Sequence, residues 1–339
     1  MTKHPQSEED TAKGQPRPAE SWRGKKAELH VHLEGTVTGE LLRTLADRNG
    51  VDLTAPTIFP GFPPIPAPSL LTPFQGNFLE FISLYVKISQ AIKERRDIED
   101  LARAYLSVAK EEQIVAADIY VTPTTLTALG CSEAELAAGL LLAQNLAAQA
   151  GVRFTWIFDI VRNGRFPGEA TVEIATRLRD QGVAVNSIGL AGLEAGYPAS
   201  PFRYAFKLAH DRGFKVVTHA GETAGPESIW ETIEVASPTR IGHGITAIND
   251  TKLIEELKRR EITLEISPWS NILLKNSAPE EHPLVKLISA GVDVVLASDD
   301  PGIFGRSLND NYLWASEHGV DDSTLAQIAE RSLMLAASI

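Results

Sequence analysis

Two histidines separated by one residue, His30 and His32, end the first apolar segment of the chain. Side chains two residues apart in a β-strand point to the same face, so both imidazoles can reach one metal ion. A lone His-x-His pair is a weak signal, because histidine also occurs as a hydrogen-bonded core residue. The pair needs further ligands elsewhere in the sequence before it predicts a metal site.

Other residues suited to metal binding and proton transfer end later apolar segments. His219 stands in THAGE, His243 in IGHG, and Asp299 and Asp300 in ASDDP. Buried imidazoles and carboxylates need partners that offset their desolvation, and a shared metal ion is the economical partner. Three imidazoles and one carboxylate favour zinc, whereas calcium and magnesium prefer more oxygen ligands. The pattern predicts one zinc ion per chain with a position left for water.

The segments that carry these residues are predicted to be parallel strands. Each is a short run rich in Val and Ile, and a helix-like stretch follows it. The runs cover 27–33, 114–123, 152–161, 185–194, 214–222, 239–245, 262–268 and 292–300. Such runs are typical of strands that helices cover on both faces, so a (β/α)8 TIM barrel of the α/β class is the first choice. An open doubly wound sheet is the alternative, disfavoured because no Gly-x-Gly-x-x-Gly follows the first strand.

A barrel would bring the reactive residues together, because the C-terminal ends of its strands form one rim where active sites are assembled. We expect residues 25–339 to form this single domain, with extra helices after the first strand and at the C-terminus. Residues 1–24 are polar and lack the apolar core of a signal peptide, so we expect a disordered tail. The Pro-rich segment 53–76 either covers a pocket or packs on the outside of the barrel.

The composition excludes several function classes. A chain of 339 residues with 43% hydrophobic residues can bury one large core, and its formal net charge of -12 argues against a nucleic-acid partner. No run approaches the roughly 18 apolar residues that span a bilayer, so no membrane partner is expected. The single Cys131 excludes an internal disulfide and a cysteine-based zinc module. We expect a cytoplasmic protein that acts on a small neutral molecule.

Six motifs occur in the order HVHLEGT, GLAGLE, HAGE, RIGHG, SPWSN and SDDP. In this order they resemble the motif series of the adenosine deaminase family, over nearly the whole chain from about Lys26. The resemblance implies a zinc-dependent hydrolase that replaces the 6-amino group of a purine nucleoside by oxygen and releases ammonia. It implies that the zinc ligands are His30, His32, His219 and Asp299.

The resemblance also implies that Glu222, His243 and Asp300 are the catalytic groups. Attack of hydroxide on C6 of a purine becomes feasible when N1 is protonated, and a protonated Glu222 suits that task. His243 and Asp300 would orient the hydroxide and move its proton toward the departing ammonia. Gly192 in GLAGLE would donate its backbone amide to the purine.

Other substrate-binding candidates rest on weaker patterns. Phe78, Phe81 and Ile82 lie on a helical stretch that in the family helps to wall the purine pocket, although their spacing fits a core stripe equally well. Glu34 follows His32 by two residues and is predicted to lie on the same face, toward the sugar side of the purine. Glu194 is expected to support a ligand or to be solvated.

Two residues after the seventh strand and four further histidines also receive predicted positions. Trp269 and Asn271 follow the seventh strand and are expected to line the pocket. The remaining histidines lack rim placement and are predicted to be surface or packing residues: His4, His210, His282 and His318.

Several alternatives remain open. Animal-like members of the family read HLDG where this chain has HLEG, and bacterial relatives with HLEG include adenine deaminases and deaminases of 6-aminodeoxyfutalosine. The free base adenine is therefore an alternative substrate.

Two other classes of barrel protein are alternatives. Two-metal amidohydrolases usually place a bridging lysine or carboxylate in a middle strand, and the fourth strand here offers Glu194 but no lysine. A non-catalytic binding barrel would be expected to lack a ligand or a proton-transfer residue, and none is missing.

Overall fold

The computed structural model describes residues 21–55 and 74–337. Eight strands form one parallel sheet whose strand order follows the sequence, which confirms the predicted (β/α)8 barrel. The strands are β1 (Lys26–His32), β2 (Ile114–Val121), β3 (Arg153–Val161), β4 (Val185–Ala191), β5 (Lys215–Ala220), β6 (Arg240–His243), β7 (Thr263–Ile266) and β8 (Val294–Leu296).

The barrel closes between its last and first strands. Val31 and Asp299 form a parallel bridge just beyond the end of β8. The backbone N–H of His32 donates to the carbonyl oxygen of Asp299 at 2.9 Å, and the N–H of Asp299 donates to the carbonyl oxygen of His30 at 3.1 Å. Predicted metal ligands therefore also make the backbone hydrogen bonds of the closing seam.

Helices surround the barrel. They are α1 (Gly39–Asn49), α2 (Phe78–Ala91), α3 (Arg95–Glu111), α4 (Pro123–Ala128), α5 (Glu133–Gln149), α6 (Gly168–Asp180), α7 (Arg203–Asp211), α8 (Pro226–Ala236), α9 (Thr251–Arg259), α10 (Pro268–Leu273), α11 (Leu284–Ser289), α12 (Pro301–Phe304), α13 (Leu308–Glu317) and α14 (Asp322–Ala337). The extra helices after β1 and after β8 are those expected from the sequence. No helix of the described residues is long and apolar enough to cross a membrane.

Several strands end earlier than their apolar runs predict. Gly192 follows β4 with φ 91°, and Asp299 follows β8 with φ 67°. A positive φ is incompatible with extended backbone, so the chain turns at these residues. The rim residues therefore lie on the first turns beyond the strands as well as on the strands themselves.

The N-terminal boundary differs from the predicted tail. Ser21–Arg23 form a 3-10 turn, and the Trp22 side chain is buried and stacks on Tyr312 with ring centroids 5.3 Å apart. Burial of an indole accounts for the order of residues 21–24, so the domain begins earlier than the composition predicts. Residues 1–20 lie outside the described residues, as does the 56–73 part of the Pro-rich segment, while Phe74 is buried in the core.

The barrel interior below the rim contains a buried ion-pair network. Arg240 on β6 lies 2.7 Å from Asp118 on β2 and 2.5 Å from Glu265 on β7, and all three side chains are buried. Tyr120 on β2 donates a hydrogen bond to Glu265 at 2.8 Å. The network fixes Glu265, whose carboxylate lies 2.8 Å from Nδ1 of His30.

Candidate active site

The predicted metal ligands converge at the C-terminal rim of the barrel. Nε2 of His32 lies 3.2 Å from Nε2 of His219, and Oδ1 of Asp299 lies 3.3 Å from both His32 Nε2 and His30 Nε2. Donors about 2.1 Å from a tetrahedral ion are about 3.4 Å apart, so these separations match a shared ion. Nε2 of His30 is buried and makes no hydrogen bond, which leaves it free to act as a ligand.

Two overlapping groups of side chains could hold a metal ion. One consists of His30, His219, His243 and Asp299, and the other of His32, Asp299 and Asp300. Asp299 belongs to both groups, so an ion held by either group would lie beside it. His243 Nε2 is 3.9 Å from Asp299 Oδ2, farther than the contacts of His30 and His32 with Oδ1. This distance favours His30 and His32 as ligands over His243.

The electrostatics of the rim favour a cation beside Asp299. Burial alone would lower the pKa of His30, but the neighbouring carboxylates of Asp299 and Glu265 raise it to about 10. Burial and the neighbouring imidazoles lower the pKa of His219, which keeps that ring neutral and able to bind a metal. The carboxylates of Asp299 and Glu265 thus stabilise positive charge at the position of His30.

The outer ring nitrogens of two predicted ligand histidines are held by acceptors. Nδ1 of His30 lies 2.8 Å from Glu265, and Nδ1 of His219 lies 3.0 Å from the carbonyl oxygen of Leu190. Such contacts fix the tautomer and direct Nε2 at the metal. They support the metal-binding role independently of the ligand distances.

The third predicted ligand histidine faces a carboxylate that the sequence analysis did not single out. Nδ1 of His32 lies 3.8 Å from Oδ2 of Asp159 on β3. Both Asp159 oxygens and His32 Nδ1 are buried without a hydrogen-bond partner, and burial raises the pKa of Asp159. Gly189 leaves room for this carboxylate, because a Cβ there would lie 1.9 Å from Oδ1.

Glu222 is held by the loop that follows β5. The carboxylate of Glu194 accepts hydrogen bonds from the backbone N–H groups of Gly221 at 2.5 Å, Glu222 at 3.0 Å, Thr223 at 2.8 Å and Ala224 at 3.1 Å. It also accepts from the Ser228 hydroxyl at 2.6 Å. Glu194 therefore fixes the backbone that carries Glu222.

The Glu222 side chain has the properties of a proton donor. Burial, and then the charges of Asp299 and Glu194, raise its pKa well above the ordinary value. The Asn276 amide donates to Glu222 Oε1 at 3.1 Å. Because Oε1 is already an acceptor, the carboxyl proton belongs on Oε2, which lies 3.8 Å from His243 Nε2. Oε2 is therefore the oxygen available for proton transfer.

His243 and Asp300 complete the catalytic group expected from the sequence. Burial lowers the pKa of His243 to about 4, so the ring is neutral near pH 7. Burial and the adjacent Asp299 charge raise the pKa of Asp300, and its Oδ1 is buried without a hydrogen-bond partner. Nδ1 of His243 lies 3.2 Å from the side-chain nitrogen of Asn271.

A cavity of about 230 Å³ opens onto these residues. Its inner end is lined by His32, His219, Glu222, His243, Asp299 and Asp300. Gly192, Phe78, Phe81 and Ile82 line its wall, and the exposed Arg165 and Phe166 line its outer part. Neither Trp269 nor Asn271 lines this cavity, because Asn271 is turned toward His243 and Trp269 Nε1 donates to a backbone oxygen of α13.

Glu34 lies behind the cavity wall. β1 ends at His32 and Glu34 begins a 3-10 turn, so strand alternation does not extend to it. Its side chain is fully buried, and Oε1 accepts hydrogen bonds from the N–H of Thr122 at 3.1 Å and from the Thr122 hydroxyl at 2.6 Å. Thr122 lines the cavity, whereas Glu34 does not. Contact of Glu34 with a substrate stays a prediction.

Sequence reasoning missed four residues at or next to the site: the buried Asp159, Glu265 and His282, and the partly exposed Asn276. His282, predicted to be a surface or packing residue, is buried and hydrogen-bonded to Asn271. The only sequence signal for Asp159 and Glu265 is a carboxylate inside an apolar strand run, which is costly unless it has a partner. Asn276 lies in a loop and has no such signal.

A parallel barrel with imidazoles and carboxylates converging at its C-terminal rim defines the class of metal-dependent barrel hydrolases. The family model for adenosine deaminase matches residues 25–338. The chain belongs to the adenosine deaminase family and is a hydrolytic aminohydrolase.

The relatives differ in the substrates that their names state. An adenine deaminase of Bordetella parapertussis is 34% identical over 315 residues, covering 91% of this chain and 95% of the relative. An aminodeoxyfutalosine deaminase of Streptomyces avermitilis is also 34% identical, over 316 residues, covering 91% of this chain and 85% of the relative. A solved adenine deaminase of Arthrobacter aurescens superposes with a TM-score of 0.79 at 27% identity, covering 91% and 93% of the two chains.

Proposed function

We propose that this protein catalyses the zinc-dependent hydrolytic deamination of a 6-aminopurine nucleoside, either adenosine or a 5'-modified analogue such as 6-aminodeoxyfutalosine. The observation that carries the proposal is the placement of Glu222, His243, Asp299 and Asp300 around the inner end of one apolar cavity. Relatives named for deamination of adenine and aminodeoxyfutalosine support the same reaction class.

The proposed zinc ligands are His30, His32, His219 and Asp299. Their nitrogen and oxygen donors and mutual distances suit zinc, and the outer nitrogens of two of the rings have acceptors of their own. A bound zinc ion supplies water whose pKa is lowered to about 7. We propose one zinc ion per chain.

Glu222 is proposed to protonate N1 of the purine as C6 is attacked. Its raised pKa keeps the carboxyl protonated, and the hydrogen bond from Asn276 to Oε1 leaves Oε2 to carry the proton. A proton delivered to N1 lets the ring nitrogen accept the electron pair that leaves the C6–N1 double bond.

Asp300 is proposed to accept the proton of the nucleophile and to return it to the departing ammonia. Its buried and unpaired Oδ1 is a strong proton acceptor once ionised, because burial disfavours the charge. His243 is proposed to orient the nucleophile from the side of Glu222.

The cavity wall is proposed to hold the purine. Gly192 would donate its backbone amide to the ring, in a turn that only glycine adopts readily: φ is 91°, and a Cβ would lie 2.7 Å from Asn163 Oδ1. Phe78 and Ile82 would pack on the ring faces. Glu34 would act on the sugar side, in contact with the cavity-lining Thr122.

The outer part of the cavity favours a nucleoside over the free base. Beyond the purine wall the cavity continues to Arg165 and Phe166, and a free base would leave this part unfilled. Adenine deamination is the second candidate, because relatives at 34% and 27% identity carry that name.

The test is a comparison of kcat/KM for adenine, adenosine and 6-aminodeoxyfutalosine, followed by loss of the aminopurine absorbance. We expect a nucleoside to be the best substrate, and we expect Glu34→Asp to change kcat/KM for nucleosides more than for adenine. A Glu222→Gln preparation controls for contaminating deaminases. Adenine as the best substrate by a wide margin would favour the second candidate, and no turnover of any of the three would overturn the aminopurine assignment.

A further inference from the structure

Three buried side chains form a hydrogen-bonded chain that ends at the active site. The backbone N–H of Leu284 donates to Nδ1 of His282 at 3.3 Å. Nε2 of His282 lies 3.1 Å from Oδ1 of Asn271, and Nδ2 of Asn271 lies 3.2 Å from Nδ1 of His243. The three side chains are 7%, 0% and 1% exposed, so water does not compete for these contacts.

The direction of every hydrogen bond follows from its first donor. A backbone N–H can only donate, so Nδ1 of His282 is an acceptor and the ring proton is on Nε2. Nε2–H then donates to the Asn271 oxygen, which leaves the Asn271 amide nitrogen to donate to His243. Because Nδ1 of His243 accepts, that ring is neutral and carries its proton on Nε2.

We propose that His282 and Asn271 are positioning residues that hold His243 in the tautomer protonated on Nε2. The proposal rests on the proposed function of the rim and assigns a specific role within it. Nε2 of His243 points into the site, 3.8 Å from Glu222 Oε2 and 3.9 Å from Asp299 Oδ2. In this tautomer His243 donates a hydrogen bond to the attacking oxygen and cannot accept its proton, so Asp300 takes that proton.

If His282 and Asn271 only packed in the core, substitutions that keep their shape would have no effect on His243. His282 also packs edge-on against Trp314, with ring centroids 5.0 Å apart. Packing depends on the shape of the side chains at 271 and 282, whereas the tautomer depends on which of their atoms donate and which accept. Substitutions that keep the shape and reverse the polarity therefore separate the two roles.

Asn271→Asp is the polarity reversal. Aspartate has the shape of asparagine but presents an acceptor where the amide nitrogen stood, so His243 must place its proton on Nδ1 to pair with it. We expect the 15N spectrum of the zinc-loaded, histidine-labelled protein to show a protonated Nε2 at His243 in the wild type and a protonated Nδ1 in Asn271→Asp. We expect kcat to fall by on the order of 10²-fold at unchanged zinc content, with a smaller effect on KM.

A pair of substitutions at His282 gives a second, independent readout. In His282→Gln an amide N–H can still donate to Asn271, so we expect the wild-type tautomer and most of kcat. In His282→Leu that donor is lost, so we expect mixed His243 tautomers and a roughly tenfold lower kcat. His210→Gln, which alters a contact with the backbone oxygen of Ala236 remote from the rim, is the matched control and should change neither readout.

The spectra are assigned by comparison with His243→Asn. A wild-type His243 protonated on Nδ1 overturns the proposal, as does a zinc-replete Asn271→Asp variant with the wild-type tautomer and kcat. If Asn271→Asp does not fold, the wild-type spectrum and the two His282 variants are sufficient to test the His243 tautomer. Failure of the proposed function would appear separately, as absence of aminopurine turnover in a protein with the expected tautomer.

Discussion

Glu222 illustrates how the surroundings of an ordinary carboxylic acid can favour its protonated form. Its surroundings raise the pKa by burial and by the charges of Asp299 and Glu194, while Asn276 occupies one of its oxygens. Neither effect requires an unusual residue type. Both arise from placing a common side chain where ionisation is unfavourable and one oxygen already has a donor.

Glu222→Gln should therefore retain fold and zinc but lose turnover. The amide cannot deliver a proton to N1, so we expect kcat to fall by 10²- to 10⁴-fold or more, as is typical when a general acid is removed. Steady-state kinetics and elemental analysis of the same preparation provide the measurement. Wild-type turnover in a zinc-replete Gln variant would assign the proton transfer to another group.

At the residue scale the sequence predicted the side chains that are chemically distinctive. Histidines and paired aspartates at the ends of apolar runs are rare in ordinary cores, so residue type and position in the chain were enough to single out His219, His243 and Asp299. Asn276 and His282 could not be found in this way, because their roles depend on loop paths that no periodicity encodes. Glu34 shows the limit of strand alternation, which ends where β1 ends at His32.

Loops that follow the strands are held by single carboxylates that accept several backbone hydrogen bonds. Glu194 joins the turn after β4 to four successive N–H groups of the turn after β5. Its hydrogen bonds outweigh burial and lower its pKa, which keeps it ionised. A nearby loop is held in a similar way, since Glu231 accepts from the N–H groups of Ala199 and Ser200.

Replacing Glu194 by Gln should disturb both the loop and the chemistry. The new amide nitrogen faces N–H groups that it cannot accept from, so we expect a loss of roughly 1.5 to 3 kcal/mol in the free energy of unfolding and a fall in kcat, because Glu222 is displaced. Urea unfolding and steady-state kinetics measure the two effects. Glu231→Gln is the control and should lose stability without a comparable loss of kcat; equal kinetic losses in both variants would contradict a specific role for Glu194.

β1 carries a buried acid below the rim. Glu28 accepts hydrogen bonds from the Tyr105 hydroxyl at 2.6 Å and from the N–H of Ser298 at 2.9 Å, and burial raises its pKa to about 7. The folded protein thus binds this proton more tightly than the unfolded chain, whose carboxyl has a pKa near 4.5. Its contribution to stability is complete below about 4.5 and is lost as the pH rises through about 7.

Glu28→Gln should remove this part of the pH dependence. The free energy of unfolding of the wild type minus that of the variant should fall by roughly 2 to 3 kcal/mol between pH 5 and pH 8. Urea unfolding followed by circular dichroism at the two pH values measures it. The exposed Glu40→Gln is the control, with no such change expected, and a constant difference for Glu28→Gln would show that Glu28 is ionised throughout.

At the element scale the sequence predicted all eight strands, because continuous Val- and Ile-rich runs bounded by helical stretches have few other interpretations. The strand ends were less well predicted. His243 and Asp299 adopt φ of 63° and 67°, values that residue type does not signal at these positions. His243 ends β6 and Asp299 follows β8, so the chain turns at two residues that line the cavity.

We expect the proposed metal ion to stabilise the whole molecule. The proposed ligands come from β1, β5 and the turn after β8, so an ion links strands that are far apart in sequence. At a free zinc concentration of about 1,000 Kd, binding to the folded state adds roughly 4 kcal/mol. Treatment with a chelator should therefore lower Tm, and zinc should restore it.

Thermal unfolding with and without chelator, with zinc measured in both samples, provides the check. His219→Ala is the control, because a variant that holds no zinc should not respond to the chelator. A wild-type Tm that is unchanged although zinc has been removed would contradict the linkage.

The closing seam of the barrel has a consequence for biogenesis. Ser298 and Glu28, which meet at this seam, are 270 residues apart, so the two strands cannot pair until almost the whole chain has left the ribosome. His30, His32 and Asp299, whose backbone hydrogen bonds close the barrel, are also proposed metal ligands. A nascent or truncated chain can therefore form most of its strands while the candidate active site is still incomplete. With His30, His32 and Asp299 as the proposed ligands, we expect metal retention and activity only in chains in which this seam has formed.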